Sequence, residues 1–303
     1  MRKKHIFLFV LLTLAVLLTA CGKKTKSNSE IQDDAISRAG FIEDYNLSST
    51  QFTISNRETS KSTDTVWASI DASNNIMQYH ADCTLVYTLY NNGWELDSTT
   101  WNNQTFIGNP DAVTQDDADD ALYDLYGDEF GWLEFLGQET SVNKVLFRYN
   151  AGSEEYYLNR EYNVTVEFTF DPDDHWVISS VKKTLTSETY DLVGEWRYKS
   201  DSRQYYVNVL DFNTKTKVIT YEYEYHDNGS YFWPVEDAKS SGPITAPCHT
   251  DWRSTDTIPV LTFEPPLDGL RSFTIVVGGA RRLDDTKPSG AGIAIGDYFL
   301  TKQ

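Results

Sequence analysis

Apolar and polar residues alternate in two long stretches of this chain, which is the pattern of β-strands with one buried face. In the first stretch, residues 82–89 alternate, and an Asn-Asn-Gly turn at 91–93 precedes Trp94. In the second, residues 164–170 alternate, and an Asp-Pro-Asp-Asp turn at 171–174 follows. Each stretch predicts a β-hairpin, because turn residues between two strand-like runs favour antiparallel pairing.

The two hairpins belong to an internal repeat with a period of about 82 residues. The sequence Gln-Asp-Asp-Ala at 32–35 recurs at 115–118, and Glu-Thr-Ser at 58–60 recurs at 139–141. Matching segments in the same order at a nearly constant offset indicate a duplicated unit. Two copies with so long a period favour a duplicated domain over a solenoid of short repeats.

Each copy is predicted to begin with a helix, over about 31–45 in the first copy and 114–126 in the second. A helix followed by an antiparallel meander can bury a core within ~80 residues. This order of elements across 31–188 resembles the cystatin-like and nuclear transport factor 2-like folds. We therefore expect two α+β repeats, at 31–108 and 109–190.

Beyond residue 190 the chain changes to strand-like runs without a convincing helix. Eight runs lie between 195 and 301, and eight antiparallel strands close well into a barrel. The motif at 192–196, Leu-Val-Gly-Glu-Trp, resembles the Gly-x-Trp start of lipocalin and related calycin barrels. That resemblance implies a barrel over 191–303 whose closed end is plugged by Trp196. The arginines at 281–282 precede the last strand, unlike the covering arginine of that family.

The predicted fold class is mixed, α+β and all-β. It comprises two tandem helix-plus-antiparallel-sheet repeats followed by an eight-stranded antiparallel β-barrel. The composition agrees with a strand-rich chain, since it contains 19 Tyr, 15 Phe and 8 Trp, and aromatic residues favour strands.

The first 20 residues have the features of a cleaved secretory signal. A positive segment, Arg2–Lys4, precedes an apolar run from Ile6 to Leu18. That run is shorter than the ~20 residues that a membrane-spanning helix needs. Residues 21–30 are small and polar, as in a flexible tether.

The end of this signal, Leu18-Thr19-Ala20-Cys21, resembles the lipobox of bacterial lipoproteins. The resemblance implies cleavage before Cys21 and a diacylglyceryl group on its sulfur. Acyl chains of this kind give stable anchoring, so we expect the protein on the extracytoplasmic face of the cell membrane. The alternative is an ordinary cleaved signal followed by an incidental cysteine.

The charge of the chain restricts its partners. The full chain carries −19, and removal of residues 1–20, with three basic residues and no acidic ones, gives −22. A strongly acidic protein is a poor ligand for nucleic acid or anionic lipid surfaces. We therefore expect no nucleic-acid partner. Cys83 and Cys248 could form a disulfide outside the cytoplasm, but their separation favours two unpaired, largely buried thiols.

The sequence offers few candidates for chemistry. No pair of histidines has metal-ligand spacing, and no zinc, phosphate-loop or nucleophile-elbow motif occurs. The acidic residues at 116–120 favour a solvated helix surface over a calcium site. Neither a metal nor a cofactor is therefore predicted.

An aromatic group in the C-terminal region is the one candidate ligand site. Tyr221, Tyr223 and Tyr225 share one strand face, and Tyr231 and Trp233 follow the next turn. Such a group can line a sugar or apolar-ligand pocket. The same residues can instead fill a barrel interior, and packing is the favoured interpretation.

The leading hypothesis is a lipid-anchored, non-catalytic lipoprotein that binds an envelope glycan, a small ligand or a protein. One alternative is an enzyme that uses a cavity in an α+β repeat, with Asp82 or His80 as conceivable groups. A further alternative is a structural spacer that holds the barrel away from the membrane. A fold alone does not decide among them.

Overall fold

The computed structural model describes residues 24–200, 203–227, 237–251, 260–264, 272–277, 291–295 and 298–303. Their helices are α1 (Asn28–Arg38), α2 (Gly40–Asp44) and α3 (Gln115–Tyr126), and two 3-10 helices cover Pro110–Ala112 and Gly127–Glu129. No helix in these ranges combines the length and the apolar character needed to cross a membrane. Cys21 lies outside the described residues.

The strands form three sheets. The first sheet has the order β1-β2-β3-β4, with β1 (Ser49–Thr59), β2 (Thr63–Ser73), β3 (Met77–Tyr90) and β4 (Gly93–Gly108). The second has the order β5-β6-β7-β8, with β5 (Trp132–Ser141), β6 (Lys144–Glu155), β7 (Leu158–Asp171) and β8 (His175–Tyr190). Both predicted hairpins are confirmed, as the β3–β4 and β7–β8 pairs.

Among the described residues, the third sheet contains ten strands and is barrel-like. Its path is β12-β11-β10-β9-β18-β17-β16-β15-β14, and β13 pairs separately with β11. The strands are β9 (Gly194–Lys199), β10 (Arg203–Asn213), β11 (Val218–Asp227), β12 (Asp237–Lys239), β13 (Ile244–Pro247), β14 (His249–Thr250), β15 (Val260–Phe263), β16 (Phe273–Val276), β17 (Gly292–Ile295) and β18 (Tyr298–Lys302).

The predicted fold class is wrong. Strands hold 65% of the described residues and helices only 14%, so the chain is mostly β and not a pair of helix-plus-sheet repeats followed by eight strands. The physical reason is the length of the alternating runs. Those runs form strands of up to 16 residues. The single helix predicted at about 31–45 divides instead into the shorter helices α1 and α2 at Ala39.

The strands of the third sheet differ from the eight predicted runs in three ways. A predicted run near 230–235 lies outside the described residues, and β12 and β17 were not predicted. The third difference has a local reason. One strand-like run near 244–249 divides into two short strands at Pro247 and Cys248. Proline has no N–H for a ladder hydrogen bond. The Cys248 N–H donates instead to the carbonyl of Lys217 at 2.7 Å, so β13 pairs with β11 and β14 with β15.

The chain divides into two compact units. The first contains the described residues up to Asp117, together with Glu139–Leu146 and Glu167–Ser179. The second contains Ala118–Gln138, Phe147–Val166 and the described residues from Ser180 onwards. The division passes through the strands of the second sheet, so that sheet contributes to both units.

In the first unit, α1 covers one face of the first sheet. A capping box between Ser27 and Glu30 begins the helix and satisfies backbone N–H groups that the helix leaves unpaired. Ile31 and Ala35 then point inward and belong to the same buried cluster as Ile70 and other apolar residues of the sheet. The other face of the sheet is left open to solvent, and the candidate site lies there.

In the second unit, the interior of the third sheet is built around Trp196. Its side chain is fully buried, and its indole N–H donates to the carbonyl of Leu192 at 2.8 Å. The ring of Tyr157 packs edge-on against it, with centroids 4.8 Å apart. The motif at 192–196 therefore fixes a buried aromatic anchor.

Both cysteines in the described part of the chain are unpaired, as expected from the sequence. Cys83 is buried, and desolvation raises the pKa of its thiol to about 11. Cys248 is partly buried, and desolvation raises its pKa to about 12. Both thiols are therefore poor nucleophiles at neutral pH.

Candidate functional site

The predicted tyrosine site lies inside the third sheet. Tyr221, Tyr223 and Tyr225 are 0%, 2% and 4% exposed. Tyr223 and Tyr225 stack at 5.3 Å, and the Tyr221 ring meets Phe263 edge-on at 4.7 Å. Burial raises the pKa of all three hydroxyls. The three rings pack with the core, and their proposed ligand role stays a prediction.

The other two residues of that predicted site, Tyr231 and Trp233, lie outside the described residues. The acidic run at 116–120 lies in α3, where the Asp117 carboxylate accepts hydrogen bonds from the Thr114 N–H and hydroxyl, both at 2.7 Å. Across the described ranges, no group of three or more metal-binding side chains is positioned to hold an ion.

A groove with a volume of about 330 Å³ lies on the first sheet. Two rows of outward-facing side chains cross all four strands there. The rows are Ser49, Ser73, Gln78 and Ile107, and Gln51, Asp71, His80 and Thr105. Ala72 and Tyr79 complete the lining. The groove therefore has walls of mixed polar and apolar character, and its residues come from positions far apart in the chain.

His80 is the centre of the polar chemistry in this groove. Its Nδ1 lies 2.6 Å from Oδ1 of Asp71, its direct cross-strand partner on β2. Its Nε2 lies 3.7 Å from Oδ1 of Asp82, two positions along β3. The second oxygen of Asp82 accepts a hydrogen bond from the Asn103 amide at 2.7 Å. One imidazole ring is thus placed between two carboxylates.

Strand alternation explains why these groups share one face. On β3, Tyr79, Ala81 and Cys83 point into the core, so His80 and Asp82 point outward. Side chains at directly opposite positions of neighbouring strands lie on the same face. The hydroxyl of Tyr79 reaches Gln104 Oε1 at 3.0 Å, and desolvation raises its pKa to about 12.

The groove has a distinct electrostatic character. None of its ten lining residues is Lys or Arg, whereas Asp71 lines it and Asp82 is adjacent. Gln51 and Gln78 add amide donors and acceptors, and three hydroxyl residues add more. The arrangement can bind a polar ligand, with a preference for positive charge.

The same groove does not contain a recognisable nucleophilic machinery. Within the described part of the chain, His80 pairs only with the carboxylates of Asp71 and Asp82. No serine, threonine or cysteine there donates to its ring, which a Ser–His or Cys–His arrangement requires. The described residues of the groove therefore lack the pairing on which a Ser–His or Cys–His nucleophile depends.

Sequence reasoning named His80 and Asp82 only as conceivable enzyme groups, and it missed Gln51, Asp71 and Gln78. The structure brings His80 together with both carboxylates. The sequence signal that could have identified the groove is the set of polar residues at alternate positions of β2 and β3. Pairing Asp71 with His80 requires the register around the β2–β3 turn, since the two residues are nine positions apart.

Comparison of the chain with protein-family models, curated proteins and solved structures finds no match.

Proposed function

We propose that this protein is a lipid-anchored extracytoplasmic binding protein, and that the groove of the first sheet takes a polar, amine-bearing ligand. The observation that carries the ligand class is the placement of Asp71 and Asp82 on either side of His80, among side chains that include no Lys or Arg. A carboxylate pair among amide and hydroxyl groups suits an ammonium group on a polar scaffold.

The anchor is supported by the sequence. Leu18-Thr19-Ala20-Cys21 follows a short apolar run, and polar residues at 22–25 separate Cys21 from the folded chain, which begins at the cap of α1. Metabolic labelling with an alkyne fatty acid tests this directly. We expect label on the wild-type protein and none on Cys21→Ser. Label that persists on Cys21→Ser would refute the anchor without bearing on the groove.

The groove is tested with chemically matched probes. We expect an oligomer of glucosamine to bind the mature chain carrying Cys21→Ser, as measured by calorimetry at low salt. The fully N-acetylated oligomer keeps the hydroxyls and loses the charge, so it should bind at least 10-fold more weakly. Equal binding of the two oligomers would rule out the cationic preference.

Two variants test whether the glucosamine oligomer binds in the groove. Asp71→Asn keeps the size of the side chain and removes its charge, so it should weaken binding about 10-fold. Glu224→Gln is the matched control, because Glu224 also faces a histidine, His226, at 3.1 Å, on the outward face of β11 and outside the groove. An equal loss in both variants would show that net charge, and not the groove, governs binding.

A structural spacer is a second candidate, favoured by the packing around Gly108 in the first unit. The Asn143 side chain accepts from the Gly108 N–H at 2.8 Å and donates to the carbonyl of Phe106 at 3.0 Å. The Trp176 indole donates to the carbonyl of Asn109 at 3.0 Å. These bonds fix the chain where it leaves the first sheet, as a stiff support requires.

A further inference from the structure

The two ring nitrogens of His80 have different surroundings in the groove. Nδ1 lies 2.6 Å from Oδ1 of Asp71, which is within hydrogen-bond distance. Nε2 lies 3.7 Å from Oδ1 of Asp82, which is beyond that distance. No described residue forms a hydrogen bond with Nε2. One nitrogen of the ring is therefore held by the protein, and the other is available to a ligand.

The contact with Asp71 determines which nitrogen carries the proton in the neutral ring. An ionised carboxylate only accepts hydrogen bonds, so Nδ1 is the donor in the 2.6 Å contact. A neutral imidazole carries one N–H, so Nε2 then presents a lone pair. Protonation of the ring adds a hydrogen at Nε2 and converts this acceptor into a charged donor. The two charge states of His80 therefore offer opposite chemistry to a ligand at Nε2.

A β-bulge on β4 orients the carboxylate of Asp82. The ladder between β3 and β4 shifts register between His80 and Asp82, so two residues of β4 lie opposite one residue of β3. One of the two is Asn103, whose φ of +50° is in the left-handed region that asparagine tolerates. Its amide donates to Oδ2 of Asp82 at 2.7 Å, which leaves Oδ1 as the oxygen nearest Nε2. Bulges often re-aim side chains in this way next to functional sites.

The separation of 3.7 Å between Nε2 of His80 and Oδ1 of Asp82 suits one donor atom placed between them. A nitrogen ~2.9 Å from each acceptor completes a triangle on that separation. A primary ammonium carries three N–H groups, which is enough to donate to both acceptors at once. A quaternary ammonium carries the same charge and no N–H, so it cannot make this pair of contacts.

We propose, on the basis of the proposed function of the groove, that His80 binds the ligand ammonium only in its neutral form. The ammonium nitrogen then bridges Nε2 of His80 and Oδ1 of Asp82. Protonation at Nε2 removes the acceptor and brings two positive charges together, so it expels the ligand. Conversely, a ligand that binds to a protein with a charged ring releases one proton to the solvent.

Among the described residues, the charged groups that face the His80 ring are the two carboxylates. The ring faces Asp71 on the neighbouring strand β2 and Asp82 on its own strand. Its cross-strand partner on β4 is Thr105, and β1 contributes Gln51 to the same row; neither of these side chains titrates. Histidine changes charge between about pH 5 and 8, whereas an ordinary aspartate does so near pH ~4. A change in binding between pH 5.5 and 7.0 is therefore assigned to the imidazole.

Calorimetry at two pH values tests the proton linkage, with the glucosamine oligomer and the mature chain carrying Cys21→Ser. We expect binding to be about 10-fold weaker at pH 5.5 than at pH 7.0. Titrations in buffers of different ionisation enthalpy should count close to one proton released per ligand at pH 5.5. Deprotonation of the ligand amine would give the opposite trend, with weaker binding at the higher pH.

Variants and a second probe separate the role of His80 from that of charge. His80→Gln keeps an acceptor and does not titrate, so its affinity should be the same at both pH values. The control His226→Gln removes a histidine that also lies beside a carboxylate, outside the groove, and should keep the wild-type pH dependence. An N-trimethylated glucosamine oligomer keeps the charge without N–H donors, so it should bind at least 10-fold more weakly than the unmethylated oligomer at pH 7.0.

The outcomes distinguish a failure of the proton linkage from a failure of the groove itself. Equal affinity at pH 5.5 and 7.0, or a pH dependence that persists in His80→Gln, would overturn the linkage and leave an amine-binding groove. Equal binding of the methylated and unmethylated oligomers would overturn the donation to Nε2. Nitrogen-15 NMR of the unliganded chain tests the tautomer without a ligand, and a neutral His80 ring with its proton on Nε2 would also overturn the proposal. No binding of the oligomer at either pH would overturn both the linkage and the proposed function.

Discussion

The carboxylate of Asp64 on β2 and the guanidinium of Arg57 on β1 form an ion pair. Asp64 is fully buried and accepts hydrogen bonds from Arg57 Nε at 3.0 and 3.1 Å and from the Thr59 hydroxyl at 2.7 Å. Arg57 also donates to the carbonyl of Lys26 at 3.0 Å, just before the cap of α1. Arg57→Met should strand the buried carboxylate and loosen this attachment.

The burial of the pair determines how much free energy of unfolding Arg57→Met should cost. Exposed ion pairs contribute about 0–1 kcal/mol, whereas removing one partner of a buried pair costs about 3–5 kcal/mol. The Arg57 side chain is 23% exposed and Asp64 is not exposed. We therefore expect Arg57→Met to lower the free energy of unfolding of the first unit by about 3 kcal/mol at pH 7.5.

The destabilisation should depend on pH with a definite sign. In the native protein, burial raises the pKa of Asp64, but hydrogen bonds from Arg57 and Thr59 outweigh it and hold the pKa below its usual value. The stabilisation is therefore present above the unfolded pKa of about 3.9 and is lost as pH falls through the native pKa. Without Arg57, burial dominates and the pKa rises, so the variant should lose most stability at neutral pH and least near pH 4.

The two native thiols allow the stability of the first unit to be measured separately from that of the second. Cys83 is buried in the first unit, and Cys248 lies in the second. When reclosing is fast, the labelling rate of a buried thiol follows the population of the open state. A loss of 3 kcal/mol corresponds to roughly 150-fold faster labelling of Cys83. Cys248 in the same sample is the internal control.

Two results would refute this reasoning. One is labelling of Cys83 in Arg57→Met at the wild-type rate. The other is an equal destabilisation at pH 4 and pH 7.5 in urea unfolding. The double variant with Asp64→Asn removes the unpaired charge, so it should recover most of the lost stability. Failure to recover would show that the contact with Lys26, and not the stranded charge, dominates.

Three further outcomes are expected. Gly108→Val should destabilise the first unit by several kcal/mol, because a Cβ there would lie 2.5 Å from the Phe170 ring; urea unfolding measures it, and a change below about 0.5 kcal/mol would contradict it. Trp196→Phe should cost about 2–4 kcal/mol, because it removes buried volume and leaves the Leu192 carbonyl without its donor; near-wild-type thermal unfolding would contradict it. Alkylation of Cys248 at pH 8 should be far slower than that of a free thiol, because burial raises its pKa to about 12; mass spectrometry measures the rate, and a free-thiol rate would contradict the burial.

The hairpins could be predicted because alternation and turn residues are local signals. β3 ends at Tyr90 and β4 begins at Gly93, as the Asn-Asn-Gly turn indicates. The number of strands in the third sheet could not be predicted by the same means. Whether the run near 244–249 forms one strand or two depends on Pro247 and on the hydrogen bond of Cys248, which only the assembled sheet provides.

Alternation also shows which residues share a face, but not which face is buried. Tyr221, Tyr223 and Tyr225 were placed on one face of a strand from the sequence, and the structure agrees. That this face is the interior depends on the curvature of the whole sheet. The groove could not be predicted for a different reason. Asp71 and His80 become neighbours only when the register of β2 and β3 is set.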